Sequence, residues 1–134
     1  PWDARHGFQY RVAAEDKLWH KIRDDYHDYL DRHGLRKLRW DEYGDYLANR
    51  GAATTDVPWE HSWDRFTGRE ARRFIEGYEG DGPFALMVGF PGPHDPYDPA
   101  EDFPHKFDAE DMPDPIPASE DDPAGLRAAH ARAT

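Results

Sequence analysis

Residues Phe84 to Phe90 are apolar without interruption, and the run breaks at once into Pro91-Gly92-Pro93-His94-Asp95-Pro96-Tyr97-Asp98-Pro99. A run this short and this evenly apolar does not suit a surface helix. It is expected to be a strand buried on both faces, as in the sheet of an α/β protein. Proline and glycine then end any ladder. His94 is therefore expected on a loop beyond the carboxyl end of the strand, the place where open α/β sheets bind their ligands.

The residues upstream supply helices. Leu18, Trp19, Ile22, Tyr26, Tyr29 and Leu30 recur at three- and four-residue steps, which predicts an amphipathic helix over residues 15–33 ended by Gly34. A shorter helix is expected over 41–50, with Asp41 as N-cap, Tyr43, Tyr46 and Leu47 inward, and Gly51 closing it. A third, over 62–78, turns Trp63, Phe66, Ala71, Phe74, Ile75 and Tyr78 to one side before Gly80-Asp81-Gly82-Pro83 stops it. Helix, turn and strand in that order make half of a βαβ crossover, which argues for the α/β class. No internal repeat and no second domain are expected within 1–134.

Between Pro91 and Pro123 lie nine of the 12 prolines, together with a dense acidic load. No helix or sheet interior tolerates that composition. The segment is expected to be an extended excursion pinned by Tyr97, Phe103, Phe107 and Met112. Leu, Ile, Val and Phe total only 20 of 134 residues, a level at which highly charged chains tend toward disorder. Aromatic residues, at 14%, offset this because each ring buries a large area. So thin an aliphatic supply points to a segment of a larger domain.

A net charge of −11 argues against nucleic acid, whose backbone calls for a basic stripe, and opposes an anionic membrane. There is no apolar run of bilayer length, and Pro1-Trp2-Asp3 lacks the pattern of a signal peptide. With no cysteine, disulfides and thiolate metal sites are excluded, and compartment stays open.

The residues Phe84 to Pro99, read as PF-x-L-x-V-x-F-x-x-PH-x-PYDP, resemble the segment of the sulfatases, in the alkaline-phosphatase superfamily, where a strand ends in a PH-x-P loop. Arg5-His6-Gly7-Phe8 is similar to the stretch that follows the family's K-x-H motif, and Asp24-Asp25-Tyr26 with Tyr29-Leu30 to a DDY-x-x-YL helix. Thr67, Ala71, Phe74 and Ile75 resemble a T-x-x-A-x-x-FI helix. Phe107-Asp108, Met112-Pro113 and Ile116-Pro117 resemble an acidic, proline-rich segment further on. The resemblance implies an internal segment of a sulfatase-like catalytic domain and a partial alkaline-phosphatase-like sandwich, to which this chain adds about one core strand.

The resemblance also implies hydrolysis of a sulfate ester, small-molecule or glycan, with formylglycine as nucleophile and a divalent cation, calcium or magnesium. The C/S-x-P-S-R motif and the Asp pairs that hold the cation have no counterpart here; Ser62 and Ser119 stand in S-W-D-R and S-E-D-D. The isolated chain is therefore expected to be inactive and to hold no metal. His94 is the catalytic position the resemblance carries across, as a group contacting the sulfate-ester oxygens, where a histidine donates a proton or hydrogen bond to developing negative charge. Tyr97 is expected either to line the substrate pocket or to pack on the prolines. Asp95 and Asp98 either hold His94 protonated or cap turns.

Other candidates are weaker. His20, Asp24, His27 and Asp28 share a helical face at metal-ligand spacing, but no H-E-x-x-H pattern is present and a solvated charged face looks the same. His6 either sits at an active-site mouth or belongs to a turn. Glu101, Asp102, Asp108, Glu110, Asp111 and Asp114 lack EF-hand spacing. Two alternatives stand beside the sulfatase reading: a phosphonate or phosphate-ester hydrolase of the same superfamily, and a non-catalytic acidic interaction module.

Overall fold

Asp24 sets where the first helix begins. In the computed structural model, which describes residues 6–15, 22–37, 42, 51–104, 107–114, 117, 119, 121, 123 and 124, Asp24 has extended backbone (φ −124°, ψ 177°), and its side chain accepts the His27 N–H at 2.6 Å. Helix α1 accordingly runs Asp25–Arg32. This corrects the expected start at residue 15: an aspartate that caps with its own carboxylate competes with continuation of the helix on its amino side. Leu18 and Trp19 lie outside the described residues.

The other end of α1 follows the sequence. Gly34 takes φ +69°, a left-handed conformation open to glycine, and Leu35 N–H and Gly34 N–H donate to Leu30 and Asp31 carbonyls at 2.9 and 3.1 Å. These two bonds make a Schellman closure, with Leu35 packed beside the core that contains Leu30. Helix α2 spans Trp63–Glu76. Ser62 caps it by accepting the Arg65 N–H, and Gly77 ends it. The helix expected over 41–50 lies outside the described residues except for Glu42.

Two compact units divide the chain, Pro1–Pro104 and His105–Thr134. The core of the first is aromatic, as the composition implied: Tyr26, Tyr29 and Leu30 of α1 meet Phe66 of α2 and Val57, with Val12, Ala14, Leu35 and Trp63 packed around them. The Phe66 ring lies 5.2 Å from that of Tyr26 and 5.1 Å from that of Tyr29. Each such ring adds specific contact beyond its buried area. In the second unit, Asp108 accepts the Glu110 N–H at the start of a short 3-10 turn, Ala109–Asp111. Phe107 and Met112, expected as pins, are exposed there, while Phe103 of the first unit sets its ring edge-on to Trp59 at 4.7 Å.

The buried strand is the expectation that fails. Among the described residues there is no strand, and none pairs with the backbone of residues 84–90. Phe84 packs against Phe74 and Tyr78, and the Phe90 ring approaches Gly68, so the segment lies along α2. Its side chains nonetheless remain open, from 38% exposure at Leu86 and Val88 to 82% at Met87. Burial on both faces needs a second layer and neighbours on both edges, and the described residues provide one helix. The architecture is a helix-rich partial fold.

Among the described residues, two isolated parallel bridges, Ala52 with Tyr97 and Thr55 with Ala100, form the longest-range backbone pairing. Tyr97 N–H donates to Gly51 at 2.8 Å, Ala53 N–H to Tyr97 at 2.9 Å and Thr55 N–H to Pro99 at 3.3 Å. This short rail holds the chain immediately after the His94 loop.

Tyr26 gives the fold a defined response to alkali. Burial first, and then the negative charge of Asp98 with smaller effects from Tyr29, Asp24 and Asp64, pushes its hydroxyl well above the ordinary tyrosine value. The folded state thus holds this proton more tightly than the unfolded state. Its contribution to stability is complete below about pH 10 and is lost as pH rises beyond that. We expect the urea midpoint to fall above about pH 10, with the last phenolate absorbance appearing only on unfolding. Tyr26→Phe should remove that part of the slope while costing about 1 kcal/mol for the bond to the His61 carbonyl.

Candidate functional site

The loop from Pro91 to Pro96 begins where α2 begins. Asp64, in the first turn of α2, accepts the Gly92 N–H on Oδ1 at 3.1 Å. Next, His94 N–H donates to the Pro91 carbonyl at 3.0 Å, closing a turn that includes cis peptide bonds at Gly92-Pro93 and Asp95-Pro96. Pro96 is fully buried beneath the turn, and Tyr97 then enters the rail. A loop held this way at both ends delivers one side chain outward.

That side chain is His94, 79% exposed. Its Nδ1–H donates to the Asp95 carbonyl at 2.7 Å, and the Asp95 carboxylate lies 3.1 Å from the same nitrogen. A carbonyl oxygen only accepts, so Nδ1 carries the proton in this bond. Neutral, the ring accepts a proton at Nε2; protonated, it donates from Nε2. The local bond that a turn histidine makes is thus present, and it also orients the ring.

The remaining candidates fall in different places. The Tyr97 ring is 54% exposed while its backbone is committed to the rail. Asp95 stays beside His94. Asp98 instead lines a cavity of about 90 Å³ with Tyr26, Lys37, Thr55, Ser62, Trp63 and Asp64. His6 has φ +47°, which marks a strained turn, and it is exposed. Of the acidic cluster, Asp102 accepts the Trp59 N–H at 2.7 Å, a structural use.

The apparent metal face is dispersed. His20 lies outside the described residues. Asp24 is sealed, its Oδ2 accepting Lys37 Nζ and the Glu15 N–H, both at 2.8 Å. Asp28 binds Arg23, whose hydrogen bond holds its carboxyl below the usual range. Among the described residues no group of three or more histidines and carboxylates is placed to hold a metal ion. Nor is any described helix long and apolar enough to cross a membrane.

Sequence reasoning missed Lys37 and Asp64. Lys37 is buried, with 2% of its side chain exposed, and nothing in Leu35-Arg36-Lys37-Leu38 distinguishes it from its basic neighbour. Asp64 had one signal available: it follows the helix cap Ser62 and stands in the first turn, where a carboxylate faces the free N–H groups. No family model, curated protein or solved structure matches the chain.

Proposed function

We propose that this chain is an internal segment of a sulfatase-like hydrolase of the α/β class, and that its part in the reaction is to present His94 to a sulfate ester. The observation that carries this reading is the presentation of one imidazole: the ring is oriented through Nδ1, its side chain is largely exposed, and it is mounted on a loop fastened to α2 on one side and to residues 51–55 on the other. The loop is also the stretch whose residues, Pro93-His94-Asp95-Pro96-Tyr97-Asp98-Pro99, carry the sulfatase resemblance. An apolar segment lying along a helix, with no backbone pairing of residues 84–90 among the described residues, suits a strand whose neighbours come from further sequence.

Cleavage of a sulfate ester builds negative charge on the leaving oxygen and on the sulfuryl oxygens. An imidazolium donating from Nε2 stabilises that charge, and it serves as general acid if it reaches the leaving oxygen. Tyr97, half-exposed three residues on, is the second residue the resemblance offers for the substrate pocket. The described residues do not fit a cation or a formylglycine: there is no cysteine, Ser62 is a helix cap and no ligand cluster forms. No step of this chain is routed through either group.

The test is to read the encoding locus outward, express the complete reading frame and assay it on aryl sulfate, aryl phosphate and phosphonate esters. The expected result is a C/S-x-P-S-R motif upstream, an Asp-Asn pair downstream, and turnover of the sulfate. Preference for phosphate or phosphonate would replace the substrate class while keeping the superfamily. Stop codons flanking the chain, with no hydrolysis, would overturn the enzymatic reading and leave a non-catalytic acidic module.

A further inference from the structure

We propose that Asp64 is a positioning residue for His94, fixing through the Gly92 N–H the point at which the loop leaves α2 and hence where the imidazole is presented. Three observations converge on it. The carboxylate of a first-turn helical residue ordinarily points to solvent and complements the helix dipole, whereas that of Asp64, half-buried, accepts a backbone N–H from 28 residues away at 3.1 Å. The approach is also close enough to require glycine: a Cβ on Gly92 would lie 2.7 Å from Asp64 Oδ2 and 3.3 Å from its Cγ. Any side chain there would push the carboxylate away and break the bond. Finally, Gly92 is the residue after Pro91, whose carbonyl accepts the His94 N–H. Anchoring Gly92 therefore anchors the turn that sets the ring.

The inference deepens the proposed function and rests on it for any effect on catalysis, but the placement of the ring can be measured without turnover. In the isotope-labelled 134-residue chain, the Gly92 amide and the His94 ring C–H signals report the anchor by NMR. Asp64→Ala and Gly92→Ala are expected to shift both signals and to speed Gly92 amide exchange by about tenfold, the scale of one lost hydrogen bond. Asp64→Asn, whose side-chain oxygen accepts the same N–H, should restore most of the effect. Ser62→Ala, which removes the α2 cap and leaves the anchor, should weaken the helix without moving the His94 ring.

The proposal is overturned if Gly92→Ala and Asp64→Ala leave the His94 ring signals in place, or if Ser62→Ala moves them equally. Should Asp64→Ala unfold α2, Gly92→Ala alone decides, since it alters no helix residue. Loss of ring placement in a chain whose complete enzyme hydrolyses no ester would sustain the positioning role and remove the sulfatase reading.

Discussion

Asp24→Ala is expected to cost about 3–5 kcal/mol, the scale seen when one partner of a buried ion pair is removed. Most small domains hold about 5–15 kcal/mol in total, so the variant should lose much of its folded reserve. Three interactions end together. His27 N–H loses its cap, Glu15 N–H loses its acceptor, and Lys37 keeps a charge with only 2% of its side chain exposed and no counter-ion. The cap contributes about 1 kcal/mol of this; the stranded ammonium contributes most of the remainder.

Asp24→Asn separates the two, because it keeps an oxygen for the cap while removing the charge. Lys37→Met should be milder than either, leaving a carboxylate that two backbone N–H groups still satisfy. Urea denaturation of the three variants checks the order. A loss under about 1 kcal/mol for Asp24→Ala, the level of an exposed pair, would show that Lys37 reaches water.

If the chain belongs to a sulfatase-like enzyme as proposed, His94→Ala in the full-length protein is expected to lower sulfate-ester turnover by about 10²-fold or more, the scale of losing a general acid. Stability should move by under about 0.5 kcal/mol, because the ring is 79% exposed and its removal opens no core. That separation makes the result readable: activity falls while the denaturation midpoint stays. A fall in kcat with KM held would place His94 in the transition state, and a rise in KM alone would make it a substrate-binding group. Turnover within a few-fold of the unsubstituted enzyme would remove His94 from the chemistry.

The helices were legible where local rules decide them. Ser62 and Gly34 punctuate as expected, α2 stops at Gly77 ahead of the expected Gly80-Asp81-Gly82-Pro83, and the apolar stripe Tyr26, Tyr29, Leu30 became the core. The start of α1 was misread because periodicity continues through Ile22 while Asp24, a stronger local signal, interrupts it. The strand was illegible for a different reason. Apolar runs report what a segment will bury if a sheet is present, and nothing in residues 84–90 says where its neighbours come from. The exposed loop position of His94 was legible from its proline and glycine neighbours, whereas Asp64 and Lys37 were not, because each acts through a contact across the fold that spacing does not encode.

The rail between residues 51–55 and 97–100 bears on the order in which the molecule assembles. Each of its bridges joins residues 45 positions apart. Closing a loop of that size costs about 3 kcal/mol in chain entropy, and its three backbone bonds return about 1 kcal/mol each. The rail therefore has no margin of its own and gains one only once α2 and residues 84–90 have already shortened the path. It forms late, and by the same balance it opens early. The imidazole at the tip is thus carried by the last part of the fold to lock, and hydrogen exchange at Ala53, Thr55 and Tyr97 should run ahead of exchange in α1.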